Sequence, residues 1–354
     1  MSLDRIRLAS LHDKVISAEE ASAFIEDGMT VGMSGFTRAG EAKAVPLALV
    51  KRAHTNPLKI TLITGASLGN DLDKQLTEAG VLARRLPFQV DNTLRKAINN
   101  GEVMFIDQHL SETVEQMRNL QLKKPDVAII EAVAITEDGG IIPTTSVGNS
   151  ASFAIFAEKV IVEINTNLSP AFEGLHDIYI PTYRPTRQPI PLTQGDERSG
   201  THAINIDPAK IVGIVINNDL HDSPSTVTAP DDETQGIADH LIAFFEKEVA
   251  EERLPKNLGP LQAGIGSIAN AVLTGLKDSN FEDLVMYSEV LQDCTFELID
   301  AGKMKFASGS SITLSAKYGE KVFNNLEAYK DKLVLRPQEI SNHPELVRRI
   351  GIIS

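Results

Sequence analysis

The sequence has one cysteine, Cys294, in 354 residues. That excludes an internal disulfide and any C-x-x-C pair of the kind that holds zinc or an iron–sulfur cluster, and it points to a reducing compartment, the cytoplasm. Basic residues are the minority, with 34 Lys and Arg against 48 Asp and Glu and a formal charge of −14. A general nucleic-acid binder shows the opposite balance, so that class is set aside, while a small anionic ligand is not. The basic pairs Arg84-Arg85, Lys123-Lys124 and Arg348-Arg349 read as solvated surface. No stretch approaches the ~18 uninterrupted apolar residues of a membrane span, and the N-terminus MSLDRIRLAS lacks an apolar signal core, so no membrane partner is expected. The eight histidines include no H-x-x-H or H-E-x-x-H spacing, so no metal is expected, and no repeat of solenoid period is present.

What is there is an alternation of strand-length apolar runs with helical segments, the signature of an α/β fold with largely parallel sheets. At roughly 100–200 residues per domain the length suggests two domains. Ser17 with Glu20 three positions on predicts a helix start, and Asp27-Gly28 its stop. Strands are predicted at 30–34, 59–64, 102–107, 126–135, 159–165 and 210–219. Between 165 and 208 the proline-rich stretches LSPAFEG and IPTYRPTRQPIPLTQG suit hairpins or a long excursion, an elaboration of the first domain. The loop HDSPSTVTAPDD at 221–232 is the predicted domain boundary, dividing the chain into 1–225 and 226–354, and a long amphipathic helix over 233–253 follows it. The second part repeats the α/β grammar and finishes on IIS, an apolar run that has only begun, as though cut in mid-strand.

Three motifs have chemical potential. GASLG (65–69) matches the G-x-S-x-G elbow of an α/β-hydrolase, with Ser67 as nucleophile and His109 or His176-Asp177 as partners, or else forms a plain glycine turn at a strand end. GIGSIA (264–269) matches G-x-G-x-x-A, and Glu289 stands about twenty residues further on, as a ribose-binding acid does in a dinucleotide fold. More generally, Gly264 and Gly266 leave bare backbone before a helix N-terminus, which favours an anion such as a pyrophosphate. Glu289 itself lies between apolar neighbours in MYSEVLQD (286–293), where an unpaired charge is costly. It is an acid, base or nucleophile, or a helix-capping acid. Cys294 reads as a buried cysteine.

Taken together, the blocks SGFTRAGEAKAVP (34–46), LITGAS (62–67), FIDQHLSE (105–112), SVGNSASF (146–153), GIGSIANAVL (264–273), MYSEVLQD and LRPQEISNHPELVRRIG (335–351) resemble the acetyl-CoA hydrolase/transferase family, the class I coenzyme A transferases. The resemblance implies two open α/β domains and short-chain acyl-CoA:carboxylate transfer, with acyl-CoA hydrolysis as the close rival; an NAD-dependent oxidoreductase, from GIGSIA and Glu289, and a non-catalytic CoA-binding remnant are the other readings. It implies that Glu289 is the nucleophile, acylated and then converted to a glutamyl-CoA thioester. It further implies that Asn342 helps hold the reacting carboxylates, that Gly264, Ile265, Gly266, Ser267 and Ile268 bind coenzyme A, and that Ser67 and Gly35 of the GFTRAG loop line the acyl side. The small-molecule partners would be an acyl-CoA and a carboxylate, and the assembly a homodimer. Ala42-Lys43 departs from the family's usual proline before the lysine. The family also carries a glycine-rich loop supplying an oxyanion-hole amide that is not in these residues, so the second domain is expected to be incomplete.

Overall fold

The computed structural model describes residues 3–226 and 231–353; positions 227–230 of the predicted boundary loop lie outside them. Eight strands form the first sheet: β1 (Thr30–Met33), β2 (Ile60–Ile63), β3 (Leu82–Leu86), β4 (Met104–Phe105), β5 (Val127–Ile135), β6 (Ile141–Pro143), β7 (Lys159–Asn165) and β8 (Ile211–Asn217). Their order is β4-β3-β2-β1-β5-β7-β8, parallel throughout, with β6 antiparallel on β5. A second parallel sheet, ordered β14-β12-β10-β9, is built from β9 (Pro260–Leu261), β10 (Leu284–Tyr287), β12 (Met304–Gly309) and β14 (Leu333–Leu335). Between them a two-stranded ribbon pairs β11 (Val290–Leu291) with β13 (Ser311–Ile312). Parallel strands covered on both faces need continuous apolar sequence, and all nine residues of β5 are buried.

The capping box at Ser17 forms, with the Ser17 hydroxyl accepting from Glu20 N–H and the Glu20 carboxylate accepting from Ser17 N–H. Its helix is shorter than predicted, Ala18–Ser22. The Arg52 guanidinium takes the carbonyls of Ser22 and Ile25, which gives the chain an alternative to another helical turn. The Arg84-Arg85 pair is a correction: it lies in β3, Arg84 exposed and Arg85 fully buried against Asp73 at 2.8 Å. An ion pair supplied from another element makes burial tolerable, and nothing in the dipeptide itself signals it. The excursion at 165–208 has only two short 3₁₀ turns. It does more than elaborate the first sheet, because His176 pairs with Leu335 of β14 and Asp177 binds Arg336. Isolated bridges join Ser146 to Ser311 of the ribbon and Gly148 to Pro337, which follows β14. At the far edge Ile353 runs parallel to Leu261, its N–H on Pro260 and its carbonyl on Gln262.

Polar groups inside the first sheet fix the loop between β1 and the helix Ala44–Ala53. That helix has no capping side chain of its own; Glu163 on β7 accepts instead from the N–H groups of Lys43 (2.8 Å), Ala44 (2.9 Å) and Val45 (3.1 Å). A carboxylate on a helix N-terminus is favourable in charge as well as in hydrogen bonding. Lys43, itself buried, reaches Glu131 on β5 and Asp222, each at 2.7 Å. Glu41 beside it has one partner, Asn70, and burial together with Asp222 pushes its carboxyl up to about 8. The loop above this floor therefore has a fixed base.

Candidate active site

Glu289 follows β10 and precedes β11, so the chain changes from one sheet to another at this residue. Its carbonyl accepts from Ser310 (2.6 Å) and Ser311 (3.1 Å), which holds the backbone while the side chain enters a cleft. The cleft encloses about 690 Å³ and is walled by Thr37 and Ala66, by Phe88 and the segment Gln108–Glu112, and by Ile265, Asn342 and Pro344. Residues from both sheets thus meet around one carboxyl group. Burial raises the Glu289 carboxyl above its ordinary value, and the Asn342 amide draws it back down. The Asn342 Nδ2 is buried and meets no acceptor in full hydrogen-bond geometry, so a donor is left for an oxygen arriving beside Glu289.

The 264–268 turn is adjacent, and side chains next to Glu289 hold it there. Ser288 donates to the Ala263 carbonyl at 3.0 Å, and Gln292 donates to that of Gly264 at 3.1 Å. Open space surrounds the position a Cβ would take at both Gly264 and Gly266, so their backbone is approachable. Gly266 begins the helix Ser267–Asp278, whose first N–H groups have no capping side chain and suit an anion. Ile265 is 63% exposed and Ile268 47%, leaving the turn uncovered by the described residues. On its other side the turn borders an apolar hollow of about 730 Å³ with Leu241, Phe244 and Val272.

Asn342 is delivered by a four-residue helix, Gln338–Ser341, at whose C-terminal end its N–H bonds the Gln338 carbonyl at 2.9 Å. Tyr287 of β10 donates to the Ile340 carbonyl at 2.9 Å, tying that helix to the strand that leads to Glu289.

Neither Gly35 nor Ser67 is among the residues walling the cleft; Thr37 and Ala66 take those places. The reason is local backbone. Thr37 and Arg38 adopt positive φ (51° and 65°), the Gly35 carbonyl accepts from Gly65 N–H, and the Ser67 carbonyl from Arg38 N–H. Of the partners considered for Ser67, His109 lines the cleft, and the other two are engaged elsewhere. Asp177 is taken by Arg336 and the N–H groups of Ser199 and Gly200, while the buried His176 ring meets the Thr144 carbonyl, burial lowering it to about 4. Cys294 is buried and its thiol is pushed up to about 12 by that burial. Among the described residues no group of three or more His, Cys, Asp or Glu is placed to hold a metal, and no helix is long and apolar enough to cross a membrane. Sequence reasoning missed Phe88, Gln108, Ser111 and Pro344 as cleft walls; the FIDQHLSE block was the available signal for Gln108 and Ser111.

The sequence model of the acetyl-CoA hydrolase/transferase N-terminal domain matches residues 2–216. The chain is 46% identical over 352 residues to a succinyl-CoA:acetate CoA-transferase of Clostridium kluyveri, covering 99% of this chain and 65% of that protein. It is 43% identical to an acetyl-CoA hydrolase of Schizosaccharomyces pombe, covering 99% and 69%. The chain therefore spans about two thirds of the length of these relatives. Among solved structures, RipA from Yersinia pestis superposes with a TM-score of 0.70 at 18% identity, covering 96% of this chain and 72% of that one. A 4-hydroxybutyrate CoA-transferase from Porphyromonas gingivalis gives 0.61 at 18%, covering 96% and 71%. At those identities the likeness is one of fold. The sequence matches go further, and the chain belongs to the acetyl-CoA hydrolase/transferase family.

Proposed function

We propose that this chain carries the reacting carboxylate and the CoA-binding turn of a short-chain acyl-CoA:carboxylate CoA-transferase. The observation that carries the reading is the cleft in which half-buried Glu289 meets the Asn342 donor beside Ile265. In the first step a Glu289 oxygen attacks the thioester carbonyl, breaking the C–S bond and giving a mixed anhydride and CoA thiolate. The thiolate attacks the glutamyl carbonyl and expels the product carboxylate, leaving a glutamyl-CoA thioester. An acceptor carboxylate then attacks that thioester, and the released thiolate takes the acyl group from the second anhydride, restoring Glu289.

A carboxylate is a weak nucleophile, so positioning and binding energy from the remote nucleotide must supply most of the acceleration. The Asn342 amide donates to a developing oxyanion without adding charge, and the open 264–268 backbone with the helix start at Ser267 receives the cofactor's pyrophosphate. The substrates are acetate, succinate and propionate as acids and CoA esters. The two sheets act as two domains, 1–225 and 226–354, with the cleft at their seam. The setting is the cytoplasm and the assembly a homodimer; equilibrium sedimentation tests the second point.

Incubation with an acyl-CoA followed by borohydride should convert Glu289 to the corresponding alcohol, seen by mass spectrometry of peptide 286–293. Turnover with that peptide unmodified rules the reading out. Relatives that carry the name acetyl-CoA hydrolase favour a second outcome at the same residue, in which water discharges the intermediate. CoA release independent of added carboxylate identifies it.

A further inference from the structure

The short helix Gln338–Ser341 is held on one face by the second sheet, through Tyr287, and on another by the first. Gln338 makes the second attachment. It is fully buried, and its Nε2 donates to two main-chain carbonyls of the first domain, Gly65 at 3.0 Å and Leu110 at 2.9 Å. Its backbone N–H bonds the Gly148 carbonyl at 3.0 Å, and its carbonyl accepts from Asn342 N–H. Two acceptors around one end of the amide fix which end is nitrogen. Gly65 has no room for a side chain here: a Cβ would stand 2.7 Å from Gln338 Oε1 and 2.6 Å from the Gly35 carbonyl. Gly65 precedes the wall residue Ala66, and Leu110 is itself a wall of the cleft. One side chain therefore links two of the first-domain wall segments to the main chain that accepts from Asn342 N–H.

We propose that Gln338 is a positioning residue: by clamping the carbonyls of Gly65 and Leu110 it sets the direction from which the Asn342 amide meets Glu289. The proposal rests on the transferase reading of the site. It touches no substrate atom and acts only through Asn342 and the cleft wall. Glu339 next to it strengthens the same seam, its carboxylate taking two Arg118 hydrogen bonds at 2.7 Å each, both side chains buried.

The test compares the wild type with Gln338→Met, Asn342→Ala and the double variant. Three quantities are read: the fraction of Glu289 trapped by borohydride at completion, kcat and KM for labelled-acetate exchange into acyl-CoA, and the acid limb of the pH profile. Gln338→Met should trap fully, lose about 10- to 100-fold in kcat, as expected for a misplaced catalytic group, and keep KM for the CoA ester within about threefold. Its acid limb should move upward as in Asn342→Ala, and the double variant should move no further than Asn342→Ala alone, because both changes remove one interaction. A purely structural role predicts a rate loss in proportion to lost trapping with the limb in place; that result, or additive limb shifts, overturns the proposal. Where Gln338→Met does not fold, Gln338→Asn, one methylene shorter, draws the donor off both carbonyls and is read identically. Absence of trapped glutamate in the wild type overturns the transferase reading itself; trapping in the wild type with unaltered kinetics in the variant overturns the positioning claim alone.

Discussion

Asn342→Ala removes the amide that, among the described residues, favours the ionised Glu289 carboxylate. Among the described residues, burial raises its pKa and the Asn342 amide lowers it. A well-formed hydrogen bond to a charged group contributes about 1.5–3 kcal/mol; the Asn342 amide stands outside that geometry, so its removal should raise the Glu289 pKa by less than such a bond would give. The reacting form is the carboxylate, and a higher pKa means that more of it is protonated at a given pH. The acid limb of kcat/KM for acyl-CoA, which reports free enzyme, should therefore shift upward. Acetate exchange measured from pH 5 to 9 shows it directly. The plateau above the limb separately reports what the amide contributes to the oxyanion. A limb that stays in place, or moves down, refutes the claim that Asn342 stabilises the ionised form.

Glu289→Gln should lower exchange on the order of 10³-fold or more while calorimetric binding of CoA stays nearly unchanged, because the 264–268 turn is intact. Arg118→Met leaves the buried Glu339 carboxylate unpaired and should cost about 3–5 kcal/mol in urea unfolding, with most of it recovered in Arg118→Met/Glu339→Met; equal losses in both variants contradict the buried-pair argument. Glu41 holds its proton to about 8 in the folded chain against an ordinary value of 4.5, so between those values the unfolded state binds fewer protons and stability falls as pH rises. Glu41→Gln should remove up to about 1.4 kcal/mol per pH unit of that decline, making the variant the more stable form at pH 8; parallel stability curves for the two proteins across this window would count against it.

Candidate site residues were legible where one short block holds the whole local signal. MYSEVLQD places an acid at the end of an apolar strand and GIGSIA exposes backbone at a helix start, which marks both blocks as candidates, while the roles proposed for Glu289 and the turn come from the family resemblance. The distinction between Gly35 and Thr37, or Ser67 and Ala66, was not legible, because it depends on the positive φ of Thr37 and Arg38 and on a carbonyl contact from a neighbouring loop. Gln338 and Arg85 were hidden for a related reason. Each is a polar residue whose burial is made tolerable by partners in other elements, so no periodicity marks it. Strand β12, MKFASG, also escaped the sequence reading: its lysine, serine and glycine break the apolar run, yet it is a central strand of the second sheet, between β10 and β14. The overall architecture survived such gaps because the alternation of apolar runs and helices is repeated along the chain.

The Arg118–Glu339 pair spans 221 positions of chain. At a ribosomal pace of roughly 5–20 residues per second, the arginine emerges on the order of ten to forty seconds before its glutamate is made. Throughout that interval the nascent first domain has a guanidinium in search of a counter-ion, and the carbonyls of Gly65 and Leu110 lack the amide that will cap them. Until residue 339 has been made, solvent has to stand in for both native partners at this seam.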